Sequence, residues 1–228
     1  MTQAYNLVIY SISYLLFFAM LLLSKIKRGI RLLDDTGIVI NRVMLIVLHV
    51  AGVLLFAVIS FYSFDQQLPV VVVGKVAAGS LQIIVIGFFV ILAIVIAPML
   101  AEKNCRQPGN RLSVSTSLSS RFIINYFFIR ILFLAAYETW FRGYLLTDCI
   151  ASWGIPVAIL INISFYTLLH IVNGKNEMLG CIPFGLLLCI LCTWTDAAWP
   201  AILIHIAFTV SYEVHLIKKI NKPSISFI

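Results

Sequence analysis

Residues 122–147 read FIINYFFIRILFLAAYETWFRGYLLT, an apolar run of the length that crosses a bilayer as a helix. Within it, residues 137–146 (YETWFRGYLL) carry Glu138 and Arg142. An ionised side chain near the bilayer centre costs roughly 2.5 to 3.5 kcal/mol on insertion scales, so anchoring in lipid gives no reason for such a pair. The pair marks this run as a place where the chain does more than span.

The rest of the chain has the same composition. Of its 228 residues, 62% are hydrophobic and only 11% charged, and the mean hydropathy is +1.06. The apolar residues gather in seven blocks, at about 5–23, 43–63, 76–100, 122–147, 153–172, 178–194 and 197–217. The fold class this predicts is all-α, a polytopic membrane helix bundle of about seven transmembrane helices. A soluble enzyme is excluded, because its helices would need charged faces.

The formal net charge of +7 does not point to nucleic acid. Lys25, Lys27, Arg28 and Arg31 sit between the first two blocks, and Lys103, Arg106, Arg111 and Arg121 between the third and fourth. The alternate connections carry Asp65, Asp148 and Asp196 instead, and the tail carries Lys218, Lys219 and Lys222. By the positive-inside rule the N-terminus is expected outside and the C-terminus in the cytoplasm. Lys75, near the outer end of the third block, is expected to snorkel to the interface.

The five cysteines are odd in number, and Cys189 and Cys192 lie in the apolar run LLLCILCTW, so small apolar filling is expected rather than a disulfide framework. The first residues lack the basic region of a signal peptide, which predicts that the first block stays as a membrane helix. The loop RQPGNRLSVSTSLSSR at 106–121 combines Pro, Gly and a Ser/Thr run that suits a serine helix cap. It divides an anchoring and packing part, 1–105, from a core at 120–217 that holds nearly all the embedded ionisable groups. His49, alone in LIVLHVAGVLL, reads as a hydrogen-bonded packing histidine.

Glu138 and Arg142 stand four apart and share a helix face. His170 and His205 come from two other apolar blocks. A glutamate and two histidines facing one another comprise a base, a proton carrier and a hydrogen-bond donor, sufficient to activate water against a carbonyl. The same three side chains could be zinc ligands, although no H-E-x-x-H helix is present and the ligands would come from three helices. No cofactor is otherwise indicated. Helix arithmetic puts Glu138 about 25 Å from Arg121 at 1.5 Å per residue, in the outer half with His205, while His170 falls near the inner end of the fifth block. Convergence of all three requires a break, a strong tilt or a shifted boundary in the fourth or fifth block.

ETWFRG resembles the end of the EExxFRG motif of the CAAX protease and bacteriocin-processing family, which includes type II CAAX prenyl endopeptidases and lysostaphin-resistance-like membrane proteins. SFYTLLH is similar to that family's FxxxH motif, with Tyr166 in the aromatic place and His170 as the histidine. DAAWPAILIHIAFT resembles its third region, supplying Trp199, Pro200, Ala201 and His205. The resemblance covers about 120–215. It implies an intramembrane endopeptidase acting on a membrane-associated peptide or protein in a bacterial plasma membrane, without nucleic acid. A glutamate and histidine activate water, and a second histidine and an asparagine stabilise the oxyanion. Two positions depart from the pattern: Tyr137 stands for the first glutamate, and Thr209 for the asparagine. The assignment that follows is Glu138, His170 and His205 as catalytic, supported by Arg142, Thr209 and Tyr137. The alternative is a catalytically impaired relative that binds a membrane partner, as in bacteriocin immunity.

Overall fold

The computed structural model describes residues 2–26, 41–58, 61, 68–105 and 118–220. Among them there is no strand. The elements are α1 (Thr2–Ile26), α2 (Arg42–Val53) with a π-helical extension (Leu54–Val58), the short α3 (Leu68–Val73), α4 (Ser80–Cys105), α5 (Ser120–Glu138), a π-helical stretch (Thr139–Leu145), α6 (Leu146–Leu169), a 3-10 turn (His170–Asn173), α7 (Lys175–Thr195) and α8 (Trp199–Ile220). Tyr5–Ile26, Ser80–Lys103, Ser120–Asn173, Lys175–Thr195 and Trp199–Lys219 are long and apolar enough to cross a bilayer, and Arg42–Val58 is a shorter apolar helix. The chain is a multi-pass α-helical membrane protein.

Ser120–Asn173 is 54 residues long, too long for one crossing at 1.5 Å per residue. It folds back at Gly154, where φ is 78° and ψ 168°. An L side chain rarely adopts that φ, and Pro156 follows in the first turn of the returning helix, where its missing N–H costs nothing. The fourth and fifth blocks are therefore correctly counted but bounded too early. The outgoing helix runs on beyond Thr147, and Asp148, expected in a connection, lies within it. There it accepts hydrogen bonds from Asn6 Nδ2 (2.8 Å) and Tyr10 Oη (2.7 Å), which clasp α1 to the hairpin.

The hairpin's register is fixed by side chains from both legs. Asn162 Nδ2 donates to Phe141 O at 2.7 Å, and the rings of Tyr137 and Tyr166 face each other at 6.4 Å. α8 runs antiparallel to α5, joined by Glu138–His205 and Arg130–Glu213. α4 packs extensively along α8, parallel to it, with Gln82 donating to Trp194 O just ahead of α8 and Glu102 bonded to His215 near its end. α5 begins with a serine cap: Ser119 Oγ accepts from the Phe122 N–H. The loop before it lies largely outside the described residues, as do Asp65 and the basic stretch after α1. Lys75 is exposed in the turn between α3 and α4 rather than inside a span.

Among the described residues the buried apolar side chains form a large core, drawing Tyr10, Phe17, Phe56, Val71 and Ile86 onto Tyr137, Trp140, Phe141 and Tyr166, and a smaller cluster of Leu45, Leu118, Tyr126 and Ile217. The outward faces are apolar too, with Leu81, Ile84 and Ile91 of α4 exposed. That is the pattern for a helix whose solvent on one side is lipid.

Candidate functional site

Glu138 is the last residue of regular α5, and the π-helical stretch begins at the next. A π turn carries more residues than an α turn, so a residue at i+4 comes closer to lying directly over residue i. Such stretches cluster at functional sites. Here the effect is to set Arg142 over Glu138: Arg142 Nη1 donates to Oε1 at 3.1 Å and to Oε2 at 2.9 Å, and both side chains are fully buried. Two threonines bond back one turn beside the stretch, Thr139 to Ala135 O and Thr147 to Gly143 O. Gly143 lets α3 close over this face, because a Cβ there would collide with Val71 Cγ1.

The third member comes from α8. His205 Nδ1 lies 2.5 Å from Glu138 Oε1, so both carboxylate oxygens are occupied. Arg142 Nε and Nη2 are buried without a hydrogen-bond partner. Two aromatic faces take the place of acceptors, Tyr166 at 4.4 Å and Phe141 at 5.5 Å from the guanidinium carbon; a cation over a ring face recovers part of the lost hydration. Tyr137 sits beside this layer, its ring 6.2 Å from that of His205 and 4.6 Å from that of Phe141, with Phe17, Phe56 and Phe133 also around it. Its hydroxyl is buried without a hydrogen-bond partner.

His170 is elsewhere. By the hairpin register it lies about a turn from Tyr137 toward the start of α5, and no hydrogen bond joins it to Glu138 or His205 among the described residues. Its ring packs edge-on against Tyr166 at 4.9 Å, and Tyr166 in turn lies 6.3 Å from His205. Nδ1 of His170 is 3.0 Å from Glu177 Oε1, across the break at Gly174. Thr209 is buried one turn after His205 on the same helix, which brings it to nearly the level of His170 along the bundle. The three-helix meeting of Glu138, His205 and His170 is thus a close pair plus a partner one turn away. Among the described residues no three His, Cys, Asp or Glu side chains group as metal ligands.

Two polar groups at this end of the bundle escaped the sequence reading. Arg130 Nη2 pairs with Glu213 Oε1 at 3.2 Å, and Arg130 Nη1 donates to His49 Nε2 at 2.8 Å. With Nε2 accepting, Nδ1 carries the proton and donates to Leu45 O at 2.6 Å, so His49 is hydrogen-bonded on both nitrogens. Arg130 is visible as a lone charge in FFIRIL, spaced two helical turns before Glu138. Glu177 was legible only as an acidic residue seven after His170, with the helix break between them hidden.

Residues 119–211 match the family model described as type II CAAX prenyl endopeptidase Rce1-like. No curated protein and no solved structure shows significant similarity to the chain. The match starts at the cap of α5 and ends inside α8, spanning Glu138, Arg142, His170, His205 and Thr209. Over this helical core the chain is similar to the Rce1-like type II CAAX prenyl endopeptidases.

Proposed function

We propose that the protein is an intramembrane endopeptidase that hydrolyses a peptide bond of a membrane-associated peptide or protein. The observation that carries this is the buried contact of His205 with Glu138, 67 residues apart in sequence and held by Arg142. A fully buried glutamate–arginine pair that leaves one ring nitrogen of a histidine without a partner is a functional-site arrangement by default inside a membrane-spanning bundle.

The geometry supports a division of labour. Both oxygens of Glu138 are taken, so this carboxylate positions His205 rather than touching water. With His205 neutral the buried layer has no net charge, since Glu138 and Arg142 cancel. A proton taken up on Nε2 of His205 from the aqueous phase as substrate binds, and released there when the product leaves, makes the layer +1; a negative tetrahedral intermediate offsets that charge, and Nε2–H donates to the oxyanion. The Thr209 hydroxyl, one turn after His205, supplies a further donor. Deprotonation of water falls to His170, which is partly exposed and lies at the depth of Thr209. The bilayer and a peptide are the partners this reading requires, in a bacterial plasma membrane with the N-terminus outside and the C-terminus cytoplasmic; a prenylated tail is one member of the substrate class. The test is cleavage of peptide substrates in proteoliposomes by wild type, His170→Ala and His205→Ala, with elemental analysis of the purified protein. Equal rates in all three proteins would sink the assignment.

A second reading, a non-catalytic relative that binds a membrane partner as in bacteriocin immunity, is favoured by Tyr137. Where the family pattern has a carboxylate, this chain has a ring enclosed by aromatic side chains. Peptide cleavage by Tyr137→Glu alone, with wild type inert, would favour that reading.

A further inference from the structure

The carboxylate missing at 137 has a counterpart on another helix. Glu177 stands in the first turn of α7, just past Gly174, and its Oε1 is 3.0 Å from His170 Nδ1. Asn173 Nδ2 donates to the same oxygen at 2.6 Å and so holds the carboxylate in place. We infer that Glu177 is the positioning carboxylate of His170, fixing its imidazole with the proton on Nδ1 and the lone pair on Nε2, where the ring takes a proton from water. This inference rests on the peptidase reading for its chemistry, and on the His170–Glu177 contact for its geometry.

The alternative tautomer is disfavoured by what surrounds the ring. With the proton on Nε2, the Nδ1 lone pair would face the carboxylate oxygen at 3.0 Å, two acceptors in repulsion. The Asn173 amide lies 3.3 Å from Nδ1 but only 2.6 Å from Glu177 Oε1, so its proton belongs to the carboxylate. Tyr166 covers one side of the ring edge-on, which limits its rotation. The arrangement is the histidine and orienting-carboxylate pair of hydrolytic sites, in which the carboxylate sets the tautomer and stabilises the imidazolium that forms.

The step balances without a further reagent. A water O–H proton moves to Nε2 of His170 while the water oxygen bonds to the carbonyl carbon and the carbonyl π electrons move to oxygen. The imidazolium then returns that proton to the departing amide nitrogen as the C–N bond breaks, leaving a carboxylic acid and an amine. The family motif matched in this chain supplies His170 but not its partner, since Glu177 lies seven residues beyond it. Two glutamate–histidine pairs thus serve one reaction: Glu177–His170 at the water and Glu138–His205 at the oxyanion.

The test uses the full chain in micelles or proteoliposomes, with 15N-labelled histidine and His170→Gln to assign the His170 signals. In neutral wild-type protein the His170 proton should sit on Nδ1, and Glu177→Ala should shift the ring toward the Nε2–H tautomer. The same variant should lower kcat about 10- to 100-fold, a fraction of what a general base contributes, with KM within about threefold. Glu177→Gln, whose amide oxygen still accepts from Nδ1–H, should keep the tautomer and recover part of kcat. A wild-type proton on Nε2, or a tautomer that ignores Glu177→Ala, overturns the pairing whatever the activity. Unchanged kcat in Glu177→Ala beside an inactive His170→Ala overturns its role in the reaction. A tautomer that responds in a protein that cleaves no peptide supports the pairing and removes the peptidase reading instead.

Discussion

The same two helices, α5 and α8, carry two arginine–glutamate–histidine layers two turns apart, and the layers are built to different ends. In the layer at Glu138, Glu138 and Arg142 lie on one continuous helical run and are completely buried, with Arg142 resting on the Tyr166 ring and Glu138 hydrogen-bonded to His205. In the layer at Arg130, Arg130 and Glu213 lie on different helices, the arginine side chain is partly exposed at 22% while Glu213 is buried, and Arg130 recruits His49 from α2. The first closes its charges on themselves and presents one histidine; the second ties three helices together. Identical residue types therefore do not imply identical roles: what distinguishes a site from a clamp is whether a titratable group is left with a free end.

The contrast is sharpest for the arginines. Arg142→Leu strands Glu138 as a buried charge with only a histidine beside it, and breaking a buried pair from one side costs about 3–5 kcal/mol. Unfolding of the variant in mixed micelles should show a loss of that size. A loss below 1 kcal/mol would mean that water reaches Glu138 and the layer is not closed.

Activity separates the histidines. On the proposed mechanism His205→Ala removes a donor to the oxyanion and should lower kcat about 100- to 1,000-fold, equivalent to about 2.7–4 kcal/mol. His49→Leu should leave kcat within about threefold. Peptide turnover measured side by side decides it, and a comparable loss in His49→Leu would erase the distinction between site and clamp.

How much of this was readable beforehand follows from the range of each interaction. Glu138 and Arg142 are four apart, so their pairing needs only helix geometry, and the seven apolar blocks needed only composition. The meeting of Glu138 with His205 depends on the depth of each helix, and helix arithmetic already put the two in the same half; the offset of His170 from them depends on where the hairpin folds back, at Gly154. A glycine at positive φ is not announced by hydropathy; the run LLTDCIASWGIP reads equally well as a connection starting at Asp148. His170 and Glu177 lie on opposite sides of a second break, at Gly174, which no periodicity reveals. Arg130 was in plain view, but a single charge has no meaning until Glu213, 83 residues later, is seen to face it.

The clamp should tolerate apolar replacement where the site does not. Arg130→Leu leaves the buried Glu213 without its ion pair but still hydrogen-bonded to Tyr126, so the expected loss is about 1–3 kcal/mol. The double variant Arg130→Leu/Glu213→Leu removes both charges and should recover most of that loss, since apolar pairs of similar volume often match or exceed a buried ion pair. Unfolding of the two singles and the double completes the cycle. A double no better than Arg130→Leu would show that the charges fix the helix register rather than satisfy each other.

His49→Leu should have the smallest effect on stability, about 1 kcal/mol in the same unfolding assay. The histidine contributes an acceptor for Arg130 Nη1 and a donor for Leu45 O. Leu45 O loses little when the ring goes, because as a helix carbonyl it can still take the backbone N–H one turn later. Arg130 keeps Glu213 through Nη2, so one charge-assisted bond is lost rather than the ion pair. The leucine also regains apolar contact with Tyr126 and Phe133, whose rings now meet the imidazole edge-on at 5.7 and 5.2 Å. If the loss instead approached that of Arg142→Leu, His49 would be holding α2 against α5 almost alone, and the layer at Arg130 would be the more tightly coupled of the two.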